Sequence, residues 1–180
     1  MIKKITVVVF FMLFCYQAVS SIETEITAEE MAEFNMTFFP GQEKITFKNI
    51  VTLDGAEYDI SALRGKYVLI NLGASWCPYC KKEKPSLQWL YDNYAGERFT
   101  LLTIYIGEQA SIVKQYIDNN GLTIPAAVEP KNEFREIYAK TIPTSYIINA
   151  EGYIVARINL NKEWDSRLAL KIINYFLNSE

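Results

Sequence analysis

Apolar and polar positions along the chain change period in blocks, and the blocks predict strands and helices in turn. Residues 67–72 and 99–106 are nearly continuous apolar runs of strand length, the pattern of strands covered on both faces. Between them, Pro78 to about Ala95 carries Leu87, Leu90, Tyr91 and Tyr94 at i, i+3, i+4 and i+7 spacing, a helical stripe that Pro85 interrupts. Ile112, Val113, Tyr116 and Ile117 predict a second helix, stopped by Gly121. Ala126–Val128 reads as a short strand, and Asn132 is placed to cap a helix bearing Phe134, Ile137 and Tyr138. Thr144–Ile148 and Tyr153–Ile158 flank Glu151-Gly152 as an antiparallel pair. Trp164, Leu168, Ile172 and Phe176 line a last helix. Upstream, Ile50–Leu53 and Glu57–Ile60 flank Asp54-Gly55, predicting a hairpin, and Leu63-Arg64-Gly65-Lys66 is a loop. No repeat is visible. The order β-α-β, further helices, then β-β-α predicts an α/β layer structure with a mixed central sheet flanked by helices.

The first 20 residues follow a different logic. Lys3 and Lys4 precede an apolar run from Ile5 to Tyr16, and Ala18-Val19-Ser20 supplies small residues at a cleavage site, so 1–20 reads as a signal peptide. The run is too short for a comfortable membrane span. Two alternatives are an uncleaved anchor and a lipoprotein attached through Cys15, which the bulky Phe14 opposes. Cleavage leaves two cysteines, Cys77 and Cys80, in an oxidising compartment. The protein is therefore expected to be exported, periplasmic or otherwise extracytoplasmic, and membrane-anchored if the segment stays. Residues 21–45 form an acidic arm: Glu23, Glu25, Glu29, Glu30 and Glu33 precede the first basic residue, Lys44. A short helix is predicted there from Thr27 as N-cap and Glu30 at the capping-box position. The arm reads as solvated in preference to a docking element, with the folded domain spanning 46–180.

Composition narrows the chemistry. The chain has 180 residues, 50% apolar and 14% aromatic, enough for the core of one domain. With 18 basic and 21 acidic residues the net charge is −3, which is no footprint for nucleic acid. Histidine is absent, which excludes His metal ligands and every His-dependent nucleophile. Cysteine is the remaining reactive group. Trp76-Cys77-Pro78-Tyr79-Cys80 lies between a buried strand and a helix start, where unpaired N–H groups and the positive end of the helix dipole favour thiolate. Pro78 suits the first helical position. Cys77 is then the attacking thiol, and Cys80, one turn in, resolves the mixed disulfide. Two other readings compete: a plain staple, which would close almost no loop, and a metal site. The latter lacks ligands for zinc but suits two-coordinate Cu(I). Glu83 is i+3 from Cys80 and i−4 from Leu87. That register makes it either an inward-facing proton handler or a surface carboxylate paired with a lysine of the same helix. Thr141-Ile142-Pro143-Thr144 opens a strand, and the sequence leaves the Ile142–Pro143 bond cis or trans.

Taken together, these residues resemble the thioredoxin superfamily, and within it the TlpA/ResA-like exported thiol-disulfide oxidoreductases. The similarity covers roughly Phe47 to Phe176. It rests on Leu53-Asp54-Gly55, Leu63-Arg64-Gly65-Lys66, the stretch from Leu69 through Trp76-Cys77, Cys80-Lys81-Lys82-Glu83, Pro85, Ile142-Pro143-Thr144 and Gly152. The resemblance implies a thioredoxin-like fold with an N-terminal hairpin and a helix-strand insertion between Ile106 and Ile142. It implies Cys77 as attacking thiol, Cys80 as resolving thiol, Glu83 as active-site acid and Pro143 as a cis-proline beside the redox disulfide. Trp76, Pro78, Tyr79 and Ile142 would meet the substrate. No prosthetic cofactor or metal is implied. Partners would be proteins bearing disulfides or thiols, apocytochrome cysteines of cytochrome c biogenesis among them, and a membrane thiol electron donor. Asn71 stands where cytoplasmic thioredoxins place a buried Asp, which favours the exported branch. The dipeptide Pro78-Tyr79 departs from the commonest reductants of this type and occurs in glutaredoxins and some periplasmic isomerases. The leading expectation is an extracytoplasmic reductant of protein disulfides. The alternatives are a net oxidase or isomerase with the same cysteines, and a Cu(I)-binding delivery module on a thioredoxin scaffold.

Overall fold

The apolar run at 67–73 forms the middle strand of a seven-stranded mixed sheet. A computed structural model describes residues 25–179 apart from positions 42 and 46. In chain order the strands are β1 (Met36–Phe38), β2 (Val51–Thr52), β3 (Tyr67–Gly73), β4 (Phe99–Ile106), β5 (Ala126–Glu129), β6 (Thr144–Ile148) and β7 (Ile154–Asn159). The helices are α1 (Ala28–Glu33), α2 (Pro78–Tyr94), α3 (Ala110–Asn120), α4 (Phe134–Ile137) and α5 (Arg167–Leu177). Spatial order is β1-β7-β6-β3-β4-β5-β2. β3 runs parallel to β4 and antiparallel to β6, so the connection from β3 to β4 must cross over, and α2 is that crossover.

Strand alternation sorts the core into two layers. Leu69 joins Leu87 and Leu90 of α2, Trp164, and Ile172 and Phe176 of α5 on one face. Val68, Ile70 and Leu72 join Phe47, Phe134 and Tyr146 on the other. The register continues the α2-side face across the sheet: Asn71 lies opposite Thr103 of β4 and Ser145 of β6. Three polar side chains thus form a row under α2 in an otherwise apolar layer.

Several expectations hold to the residue. β4 spans Phe99–Ile106, and α3 ends at Gly121, whose φ of 60° is the left-handed cap. The insertion after Ile106 supplies α3 and β5.

Others are corrected. The expected interruption at Pro85 is not found: helix α2 runs through Pro85 to Tyr94 as one element. The N-terminal hairpin is rudimentary: Val51–Thr52 pairs with β5, and its second arm contributes one bridge, Val51 to Glu57. The Asp59 side chain accepts the Ser61 N–H at 2.9 Å and starts a 3-10 turn over Ile60–Leu63, which takes the chain out of the sheet. Asn132 does not cap α4. It has φ 62°, and the buried Glu129 carboxylate at the end of β5 instead accepts the N–H groups of Lys131 (2.9 Å) and Phe134 (3.4 Å). Trp164 lies before α5, because Ser166 caps that helix by accepting Ala169 N–H.

The acidic segment is not a solvated arm. The capping box is present: Glu30 N–H donates to Thr27 Oγ1 at 3.2 Å, and Thr27 N–H to Glu30 Oε2 at 2.9 Å. Beyond it, however, Phe34 and Met36 are buried, and β1 extends the sheet alongside β7. Lys171 of α5 pairs with Glu30 at 2.7 Å. Phe34 and Met36, with Ile26 and Met31 packed against the same cluster, anchor a segment whose helix also carries Glu29, Glu30 and Glu33. Among the described residues no helix is long and apolar enough to cross a membrane. The expected signal peptide at 1–20, with Cys15, lies outside the described residues.

Candidate active site

Helix α2 begins at the pair of cysteines because the chain leaves β3 at Gly73 and turns through Ala74-Ser75-Trp76. Glu108, just past the end of β4, fixes that turn by accepting Ser75 N–H at 2.7 Å and the Ser75 hydroxyl. Cys77 is the N-cap of α2 and Pro78 its first residue. The Cys77 sulfur accepts the Cys80 N–H at 3.2 Å, an orphan donor of the first turn, and its thiol donates to the Ile142 carbonyl at 3.9 Å. The two sulfurs are not bonded to each other. Ile142 packs on the cysteines, and the Ile142–Pro143 peptide is cis. Trp76 and Tyr79, which flank Cys77 in sequence, stand out of this surface at 60% and 65% exposure, while Cys77 itself is 4% exposed.

Cys80 points inward. It is fully buried, and a Cβ on Gly73 would come within 3.2 Å of its sulfur, so a side chain there would force the thiol to shift by a few tenths of an ångström. Burial pushes the Cys80 thiol up to about 12, and the hydrogen bond and charge of Cys77 add to that. A backbone hydrogen bond at Ala74 and the nearby Lys84 oppose it.

One turn further in, Glu83 is buried, not a surface carboxylate paired along its helix. Its Oε1 accepts the Trp164 indole N–H at 2.6 Å and Lys162 N–H at 3.2 Å, and its Oε2 accepts from Asn71 Nδ2 at 3.1 Å. Burial raises its carboxyl above the ordinary range, while Lys84 and these three donors pull it back. Asn71 also donates to Ser145 Oγ at 3.0 Å. The polar row under α2 is therefore the floor of this site.

The likenesses to known proteins agree with this geometry. The AhpC/TSA family model matches residues 28–157, which includes most of the acidic segment as well as the cysteines. The chain belongs to the AhpC/TSA family. Within it, the chain is 33% identical over 107 residues to sporulation thiol-disulfide oxidoreductase A of Bacillus subtilis (strain 168), covering 57% of this chain and 64% of that protein. It is 28% identical over 124 residues to the thiol-disulfide oxidoreductase ResA of the same organism, covering 65% and 69%. The chain thus spans about two thirds of these relatives. The crystal structure of StoA from Bacillus subtilis superimposes with a TM-score of 0.56 at 27% identity, over 70% of this chain and 95% of that one. The fold of this AhpC/TSA-family chain is thioredoxin-like, and its homologues are thiol-disulfide oxidoreductases.

The structure brings all eight residues singled out in the sequence to one end of the sheet or to the turn beneath it. The sequence reading missed three others. Trp164 was seen only as a core position of the last helix, and Glu108 carried no signal. Lys84 is buried although charged, and its spacing offered a clue: it is i+4 from Cys80 and three before Leu87, on the inward stripe. An open cavity of about 1200 Å³ lies elsewhere, between α1 and the start of α5. Among the described residues no group of three or more Cys, Asp and Glu is placed to hold a metal.

Proposed function

We propose that this chain is an extracytoplasmic thiol-disulfide oxidoreductase that reduces disulfides of protein substrates through Cys77 and Cys80. The observation that carries the reading is the asymmetry of the pair. Cys77 caps α2 at the rim of the site, 4% exposed beside the exposed Trp76 and Tyr79, and accepts the Cys80 N–H, whereas Cys80 is 0% exposed one turn deeper with its thiol pushed up by burial. Cys77 thiolate attacks a substrate disulfide, forming a mixed disulfide and releasing one substrate sulfur as a thiolate that takes up a proton. Cys80 loses its proton to Glu83 and attacks the Cys77 sulfur. The Cys77–Cys80 bond forms, the bond to substrate breaks, and the second substrate sulfur leaves as a thiolate that takes up the proton released by Glu83. Two electrons pass from the cysteine pair to the substrate. A membrane thiol donor then restores the pair. Trp76, Pro78, Tyr79 and Ile142 supply the contact surface for a peptide. Apocytochrome cysteines, or those of another metal-site protein, are substrates that a reductant of this branch would serve.

The direction of flow is tested by equilibrating the protein with glutathione. The potential is expected nearer the thioredoxin end, about −270 mV, than the strongly oxidising end, about −120 mV. A value near or above about −150 mV would assign the pair to an oxidase or isomerase instead.

Placement outside the cytoplasm rests on Lys3, Lys4 and the apolar run Ile5–Tyr16. N-terminal sequencing of protein made in its own cells is expected to start at or near Ser21. Retention of Met1 on the whole population would overturn cleavage.

A further inference from the structure

The buried cation Lys84 has no part in the scheme above, yet it sits inside it. Its side chain is 3% exposed. Its ammonium donates to Asn71 Oδ1 at 3.0 Å and to Thr103 Oγ1 at 3.5 Å, and lies 5.1 Å from the centroid of the Tyr105 ring. Asn71 uses its other end, Nδ2, to reach Glu83 at 3.1 Å. One amide therefore joins a buried ammonium to a buried carboxylate, and Cys80 lies one turn above both on the same helix.

We propose that Lys84 is a positioning residue for thiol-disulfide exchange: locked by Asn71 and Thr103 under the start of α2, its ammonium is the buried counter-charge that keeps Glu83 ionised, and so free to take up a proton, and favours the Cys80 thiolate. This rests on the oxidoreductase reading and assigns its second step a further group.

Stability alone does not account for a lysine here. The position lies on the inward stripe of α2, where an apolar side chain of similar length would pack without desolvating a charge, and such replacements are commonly neutral or stabilising. Chemistry does account for it. The second transfer moves negative charge from Glu83 onto the Cys80 sulfur while a proton moves the other way. A fixed positive charge beside both favours the ionised form of each. Burial holds Lys84 itself down to about 8, so it is still charged at neutral pH. The other ionisable groups around it are Cys77, Cys80 and Lys81 from the start of α2, Tyr105 from β4, Tyr116 from α3, Glu108 after β4 and Lys162 before α5, which faces Glu83. Tyr105 and Tyr116 are both pushed up by burial and stay neutral where Glu83 and Cys80 exchange a proton.

The test uses the full chain, reduced, with a chromogenic aromatic disulfide as substrate. Each protein releases one coloured thiolate when Cys77 attacks and a second when Cys80 resolves, so the two steps are read separately. In Lys84→Met the first release is expected to persist, while the second slows about tenfold at neutral pH and its pH midpoint moves up by about one unit. The direction follows from the charge: without the ammonium, Glu83 binds its proton more tightly and Cys80 holds its own to higher pH. Lys84→Gln, which keeps polarity without charge, is expected to show the same shift. In a Glu83→Gln background the Lys84→Met effect on the second release should shrink, because one of the two groups it serves is gone. Thermal unfolding of Lys84→Met should match or exceed that of the wild type. If both releases overlay the wild type in Lys84→Met and Lys84→Gln, Lys84 is a packing residue and the proposal is overturned, with the oxidoreductase reading intact. If the wild type itself releases no second equivalent, that reading falls and takes the proposal with it.

Discussion

Cys80→Ser is expected to accumulate mixed disulfides with protein substrates through Cys77, while Cys77→Ser traps almost none and loses turnover to background. The attacking thiol must reach substrate, and Cys77, at the capping position of α2 next to the exposed Trp76 and Tyr79, keeps 4% exposure where Cys80 has none. Its sulfur already accepts the Cys80 N–H, and that donor would stabilise a thiolate in the same place. Cys80 is covered on every side, against Gly73, Ala74 and Ile142, and burial holds its thiol up to about 12. It gains a reaction partner only after Cys77 has been oxidised by substrate. Without Cys80 the mixed disulfide has no internal exit, so the adduct should survive acid quenching and resolve by mass under non-reducing conditions. Equal trapping by the two serine variants, or more by Cys77→Ser, would reverse the roles.

Trp164→Ala should cost about 3–5 kcal/mol of folding free energy, the range for removing a large aromatic side chain from a core. Trp164 is fully buried and meets Phe34 edge-on, with ring centroids 5.6 Å apart. Its indole N–H is the shortest hydrogen bond to Glu83. The alanine therefore opens a cavity, loosens the acidic segment held through Phe34, and leaves a buried carboxylate with one donor fewer. Against a typical domain stability of about 5–15 kcal/mol, the variant becomes marginal. Trp164→Phe fills most of the volume but lacks the N–H. It should cost less, about 1–3 kcal/mol, the penalty of an unsatisfied buried acceptor. The same variant should hold Glu83 protonated to higher pH. Urea unfolding checks both values, and a loss below about 1 kcal/mol for Trp164→Ala would show that neither the cavity nor the hydrogen bond matters. Because Trp164 touches both Phe34 and Glu83, damage to the N-terminal segment should be felt at the Glu83 carboxylate.

The strands and helices were legible in the sequence wherever the hydrophobic period was long. β3, β4, α2 and α3 follow from runs and stripes that local backbone geometry imposes, and the capping box of α1 and the glycine after α3 follow from hydrogen-bonding rules within a few residues. The position of the cysteines at a strand-to-helix junction was equally local. Short segments were not legible, because their conformation is decided by partners far along the chain. Val51–Thr52 is a strand because β5 is beside it, and Asn132 yields the capping of α4 to Glu129 because that carboxylate is buried and needs donors. The acidic segment looked solvated by charge count, yet two apolar residues found β7 and Trp164. Only the tertiary structure joined Asn71, Glu83, Lys84, Thr103, Ser145 and Trp164, which come from five separate stretches of sequence. Sheet register sets three of them in one row, and the helix above presents Glu83 and Lys84 to that row. The sequence determined which atoms can exchange electrons. Folding decided which charges surround them, because the energy of a buried charge depends on what lies within a few ångströms of it, and that is a property of packing rather than of order along the chain.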